Sequence, residues 1–319
     1  CHQDANDLEE NEEHDFENGI ISEPTYLEWD KSPYGDPESE HHAECVDCHM
    51  PATNAGAACD DLASLNRPAG DVRSHRILGT TPEFLENALS VTMEAEIVGD
   101  SVEVEVAITN DQTGHHVPTG VTIRNMILLV EASQASDGEP LEHTGSTVIH
   151  DLGGCVLPPP AECIADTDQG YYGGLPGRLY GKINISEAGG SPTFFTDAVA
   201  IVDDNRIPAL ATDTTHYTFA IPAGAGDIDL RARVIYRRSW RALVDGKDWH
   251  YDGHGNPLED IAAPHFGHLM ASAEKTLSNR SPMPDGSSGG CSVGRSSTPS
   301  PALLALLLFA TLLTRRRKT

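Results

Sequence analysis

Val102, Val104, Val106 and Ile108 alternate strictly with Glu103, Glu105, Ala107 and Thr109. Successive side chains of a strand point to opposite faces, so this period of two specifies a strand with one apolar and one wetted face. Such a face has to be buried against a second layer, which commits the surrounding chain to a sheet fold. Met93, Ala95 and Ile97 carry the same period up to the turn pair Gly99-Asp100, and the two runs together predict a hairpin. Val121 to Val130 is apolar on both faces apart from Arg124 and Asn125, as a strand in the middle of a sheet should be. Ala198–Val202, Tyr217–Ile221 and Ile228–Tyr236 add further strands, punctuated by Pro and Gly. Short strands without an interleaved helical period predict an antiparallel β-sandwich over residues 91–240.

Residues 1–90 have another character. The first 44 hold 15 acidic side chains against Lys31 alone, within a chain of net charge −28. That balance excludes a general nucleic-acid binder, which needs cations to displace counterions from phosphate. Pro24, Pro33, Pro37, Pro51 and Pro68 break the segment, and one helix is predicted, Pro82–Val91, with Thr81 as N-cap and Phe84, Leu85, Ala88 and Leu89 on one face. Apolar content is too low for this region to fold by burial alone, so something else has to organise it. Residues 241–290 read as a loop-rich extension and linker.

Cys45-Val-Asp-Cys48-His49 supplies that something. C-x-x-C-H is the attachment signature of c-type haem. Two thiols one helical turn apart reach two vinyl groups on one porphyrin edge, and the adjacent imidazole ligates iron from below. Zinc needs four ligands, and no second pair lies close in sequence. A thioredoxin-like dithiol expects a βαβ context that is not evident. Cys1-His2 reads as the second half of another such motif if the numbering starts inside a longer protein. Cys155 and Cys163 bracket a Pro-rich loop, where a disulfide is the favoured reading in an oxidising compartment.

Around the motif stand Thr25-Tyr-Leu-Glu-Trp29, Ser32-Pro-Tyr34, Met50-Pro51, His75-Arg-Ile-Leu-Gly79, Gly114-His115-His116-Val-Pro118, Asp203-Asp-Asn205-Arg206-Ile-Pro208 and Tyr236-Arg237-Arg238. As an ensemble these resemble the C-terminal half of exported multihaem c-type cytochromes, over about residues 1–275. The resemblance implies haem c, a β-rich domain packed on haems, and electron transfer. It also implies partners that are other redox proteins or haems of an N-terminal part. His75 and the Gly-His element at His115, with His116 beside it, become the candidate distal ligands, and His49 and His2 the proximal ones. This chain shows one complete attachment motif and a second partial one. No catalytic constellation is evident, so a carrier is expected rather than a catalyst. The alternatives are a multihaem oxidoreductase for small nitrogen or sulfur oxyanions and a haem-free surface binding module.

At the C-terminus an apolar run, Pro301 to Leu313, leads into Arg315, Arg316, Arg317 and Lys318. With Gly289-Gly290-Cys291 and a Ser/Pro-rich spacer it resembles the sorting tails of myxobacterial surface proteins. That resemblance implies an exported, membrane-associated protein at the outer surface or periplasmic face. The expected fold class is therefore α+β, mainly β. An irregular haem-binding segment with short helices (1–90) packs on an antiparallel β-sandwich (91–240), and a short transmembrane sorting helix lies in the tail (291–319).

Overall fold

Val102, Val104, Val106 and Ile108 are all but inaccessible to solvent, whereas Glu103 and Glu105 on the opposite face are exposed. The computed structural model in which this is seen describes residues 4–5, 19–53, 71–76 and 78–279. The chain from Cys1 to Arg280 forms one unit. Its elements begin with β1 (Asp4–Ala5), β2 (Ile21–Glu23), α1 (Thr25–Asp30), α2 (Cys45–His49) and α3 (Pro82–Glu86). The main strands follow: β3 (Ser90–Val98), β4 (Ser101–Thr109), β5 (Asn125–Gln134), β6 (Gly177–Ser186), β7 (Ala198–Asp204), β8 (Thr212–Ala220) and β9 (Ile228–Arg237). After α4 (Arg241–Gly246) comes β10 (His268–Leu277).

The strands pair antiparallel in a three-stranded sheet, β3-β4-β8, and a five-stranded sheet, β10-β9-β5-β6-β7. The β3–β4 hairpin turns at Gly99, whose φ of +65° suits a residue without Cβ. One face of each sheet feeds a shared core. Val102, Val106 and Phe219 from the smaller sheet join Met126, Leu128 and Val234 from the larger. The alternate residues of β5, Ile127 and Leu129, enter a second cluster with Tyr172, Trp240 and Phe266. A strand buried on both faces reads as continuously apolar, which is the character of Val121 to Val130. The loops over this second face are pinned by buried Arg237, which donates to the carbonyls of Gly153, Gly170 and Phe266 at 2.7–2.8 Å.

The expected fold class needs correction. The chain is mostly β, and α1, α2 and α3 have 6, 5 and 5 residues, so the N-terminal segment expected to bind haem is not a helical one. The helix expected to reach Val91 stops at Glu86, because Ser90 and Val91 pair with Thr109 and Ile108 in the β3–β4 ladder. Among the described residues no helix is long and apolar enough to cross a membrane. The expected transmembrane sorting helix at 301–313, and the whole tail, lie outside the described residues. Thirteen helical residues reach about 20 Å, against about 30 Å for a hydrocarbon core.

Candidate haem-binding site

α2 is a single turn, opened by Glu44, whose backbone N–H donates to the Asp47 carboxylate at 3.1 Å. Cys45 and Cys48 stand three residues apart on that turn, hence on one face, and both are free and exposed. Arg73 steadies the turn from outside, pairing with Asp47 at 2.9 Å and reaching the Val46 carbonyl at 3.4 Å. The Glu44 N–H and Arg73 hold the Asp47 carboxyl below its ordinary range. Burial, then Asp47 and Cys45, push the Cys48 thiol up.

Beyond the turn, Thr53 N donates to Val72 O at 2.8 Å and Ser74 N to Pro51 O at 2.9 Å, drawing residues 71–74 back along the motif. Leu78 then closes on His49 twice. Its N–H donates to the His49 carbonyl at 3.3 Å, and its own carbonyl accepts from the imidazole Nδ1. A carbonyl only accepts, so Nδ1 carries the proton and the Nε2 lone pair is left as the ligand atom.

His115 stands opposite. The two imidazole centroids are 6.3 Å apart with planes 17° from parallel, and Phe84 packs on the His49 ring at 5.3 Å. His115 sits on the β4–β5 connection. Its carbonyl is held by Asn110 Nδ2 at 2.8 Å and Thr113 Oγ at 2.9 Å. Its Nδ1 lies 2.9 Å from the His116 carbonyl, so here too Nδ1 is the donor and Nε2 is left over. Burial pushes the His115 imidazole below its ordinary range, with the His116 hydrogen bond opposing.

These residues fit a haem c. Two accessible thiols share one turn, the next residue offers an oriented imidazole, and a second oriented imidazole faces it. With centroids 6.3 Å apart and planes 17° from parallel, the two imidazoles are placed so that both would be able to hold the group. A closed zinc site finds less support. Among the described residues the cluster of Asp151, Cys155 and Cys163 has its thiols joined in a disulfide, as the sequence favoured, and Cys45 and Cys48 belong to no such group.

The other candidate ligands divide. His75 is exposed, and among the described residues its ring does not join His49 or His115. His116 turns away from its neighbour into a cleft of about 540 Å³, with Nδ1 4.0 Å from Glu28 Oε1. Cys1 and His2 lie outside the described residues. Sequence reasoning missed Leu78, whose contribution is a main-chain carbonyl with no residue-type signal. It placed Phe84 on an apolar helix face without linking it to His49.

No family model matches the chain, and no curated protein matches it. Among solved structures it is similar to a penta-heme cytochrome c552 from Thermochromatium tepidum, with a TM-score of 0.52 and 20% identity over 83% of this chain. The match takes in 53% of that cytochrome, so this chain spans about half its length. The likeness is one of fold: the chain has the fold of part of a multihaem cytochrome.

Proposed function

We propose that the chain holds a haem c by thioethers at Cys45 and Cys48, with His49 as proximal and His115 as distal ligand, and serves electron transfer as part of an exported multihaem cytochrome. The observation that carries this reading is the pair of facing imidazoles, each with Nδ1 committed to a backbone carbonyl. Bound there, a haem supplies one-electron chemistry, and the protein's share is holding, orienting and shielding. Leu78 and His116 fix the ring orientation of the two histidines through Nδ1. Phe84 covers one side of the His49 ring. Asn110 and Thr113 keep the His115 backbone from drifting. The Cys155–Cys163 disulfide supports an oxidising compartment and so export.

The test is expression with a cytochrome c maturation system. Haem absorbance should survive acid–acetone extraction and disappear in the Cys45→Ala/Cys48→Ala double variant. His115→Ala should convert a six-coordinate low-spin spectrum to one that admits an added ligand. Colour that extracts fully from the unaltered protein rules out thioether attachment. An unchanged spectrum in His115→Ala removes His115 as the distal ligand.

A further inference from the structure

The two imidazoles come from distant parts of the chain, and their spacing depends on whatever joins the motif to the β4–β5 connection. α1 does both. On one side the Trp29 indole N–H donates to Ala43 O at 2.9 Å, two residues before Cys45. On the other side Glu28, 8% exposed, reaches into the loop that carries His115. Glu28 Oε2 accepts from the His116 N–H at 3.2 Å and from Thr119 Oγ at 2.6 Å, while Oε1 pairs with Arg206 at 2.6 Å. Arg206 is itself held by Asp204 at 2.7 Å. Ser32, just after the helix, donates to the Gly114 carbonyl at 2.8 Å, and Thr25 Oγ meets Thr119 Oγ at 2.8 Å. The residues on both sides of His115 are thus tied to one short helix.

We infer that α1 is a clasp and Glu28 a positioning residue that sets the separation of His49 and His115. The inference rests on the ligand reading above. Glu28 touches neither imidazole's Nε2 and acts through the His116 backbone and Thr119. A buried carboxylate is tolerated only where it is paired and hydrogen-bonded, and here Oε2 accepts two hydrogen bonds while Oε1 has Arg206 as its ion-pair partner and no hydrogen bond. Without the carboxylate the 114–119 loop loses its ties to Oε2, and His115 is free to leave the position facing His49.

The experiment uses the full chain carrying its haem, with carbon monoxide as the probe of the sixth position on the reduced iron. In Glu28→Ala, carbon monoxide binding should rise at least ~10-fold, the scale on which outer-shell partners act, and the reduction potential should shift. Glu28→Gln keeps an acceptor for His116 N–H and Thr119 Oγ but sets its NH2 against Arg206, so it should admit carbon monoxide more than the parent and less than Glu28→Ala. Thr119→Val, which deletes one tie, should fall between. If Glu28→Ala does not fold, Thr119→Val and Trp29→Phe carry the test. A merely structural role lowers the melting temperature without opening the sixth position in the folded fraction. The clasp is overturned if His115→Ala admits carbon monoxide while the folded clasp variants bind it as the parent does. Glu28→Gln behaving like Glu28→Ala overturns the hydrogen-bonding role of Glu28. If His115→Ala itself binds carbon monoxide no better than the parent, the ligand reading has failed, and the clasp falls with it for that separate reason.

Discussion

The two-sheet body and the segment before it are built on opposite principles. From β3 onward the interior is apolar, with Val102, Val106, Met126, Leu128, Val130 and Val234 all fully buried. Among the described residues between 19 and 81, the buried side chains are Ser22, Glu28 and Ser32, all polar. The next buried apolar side chain along the described residues after 81 is that of Leu85. The body is therefore held by non-directional burial, and the segment by directional ties: Trp29 to Ala43, Ser32 to Gly114, His49 to Leu78, Arg73 to Asp47. Burial tolerates sequence change that keeps volume, whereas a few hydrogen bonds in a polar segment define geometry but contribute little stability. A segment of that kind suits a site where the position of two side chains matters more than the stability of the segment.

This contrast can be broken at several points. Phe219→Ala removes a ring from the shared core and should cost about 3–5 kcal/mol in denaturant unfolding; a loss confined to residues 19–86 would contradict the assignment of stability to the body.

Lys182, 3% exposed, reaches from β6 to the carbonyls of Ile21 at 3.2 Å and Ser22 at 3.4 Å, and burial lowers its pKa to about 8. Between that value and the ordinary lysine value of 10.5 the unfolded chain keeps a proton that the folded one has released. Stability should therefore rise with pH across this window, by about 3 kcal/mol in all. Urea titrations from pH 7.5 to 10.5 should show the rise, and Lys182→Met should lack it.

The Cys45→Ala/Cys48→Ala variant, made without haem, should lose hydrogen-exchange protection over 43–53 while β4, β5 and β9 stay within about 0.5 kcal/mol of the parent. Equal loss in both regions would mean that the segment and the sheets unfold as one. Smallest of all, Arg73→Ala deletes a surface ion pair and should leave global unfolding unchanged, seen only as faster exchange near α2.

Where a residue's environment is decided by its neighbours in sequence, the structure was legible beforehand. β4 could be read because one-sided burial forces its alternation, and β5 because burial on both faces removes it. β6 escaped notice because Gly177 and Gly181 interrupt its pattern. A Cβ at Gly181 would stand 2.8 Å from the Trp240 ring, so packing against a residue far along the chain decides that position. β10, in the range read as loop-rich, is masked by the Ala, Lys and Glu of Ala271 to Lys275, yet it pairs with β9 along its length.

The site divides in the same way. Cys45, Cys48 and His49 form a local motif, and a spacing of one helical turn is a property that five consecutive residues specify by themselves. Sequence alone thus determined the period-two strands, the acidic, proline-broken segment and the thiol–thiol–imidazole turn. Among the distal candidates the resemblance put His75 first and favoured His115 over His116, an order that residue type cannot settle, since each is an imidazole in a loop. Only the tertiary structure set His115 opposite His49, sent His116 toward Glu28 and left His75 in solvent. Which distant groups meet depends on how two sheets and a short helix pack, and that is a sum over contacts that no local pattern encodes.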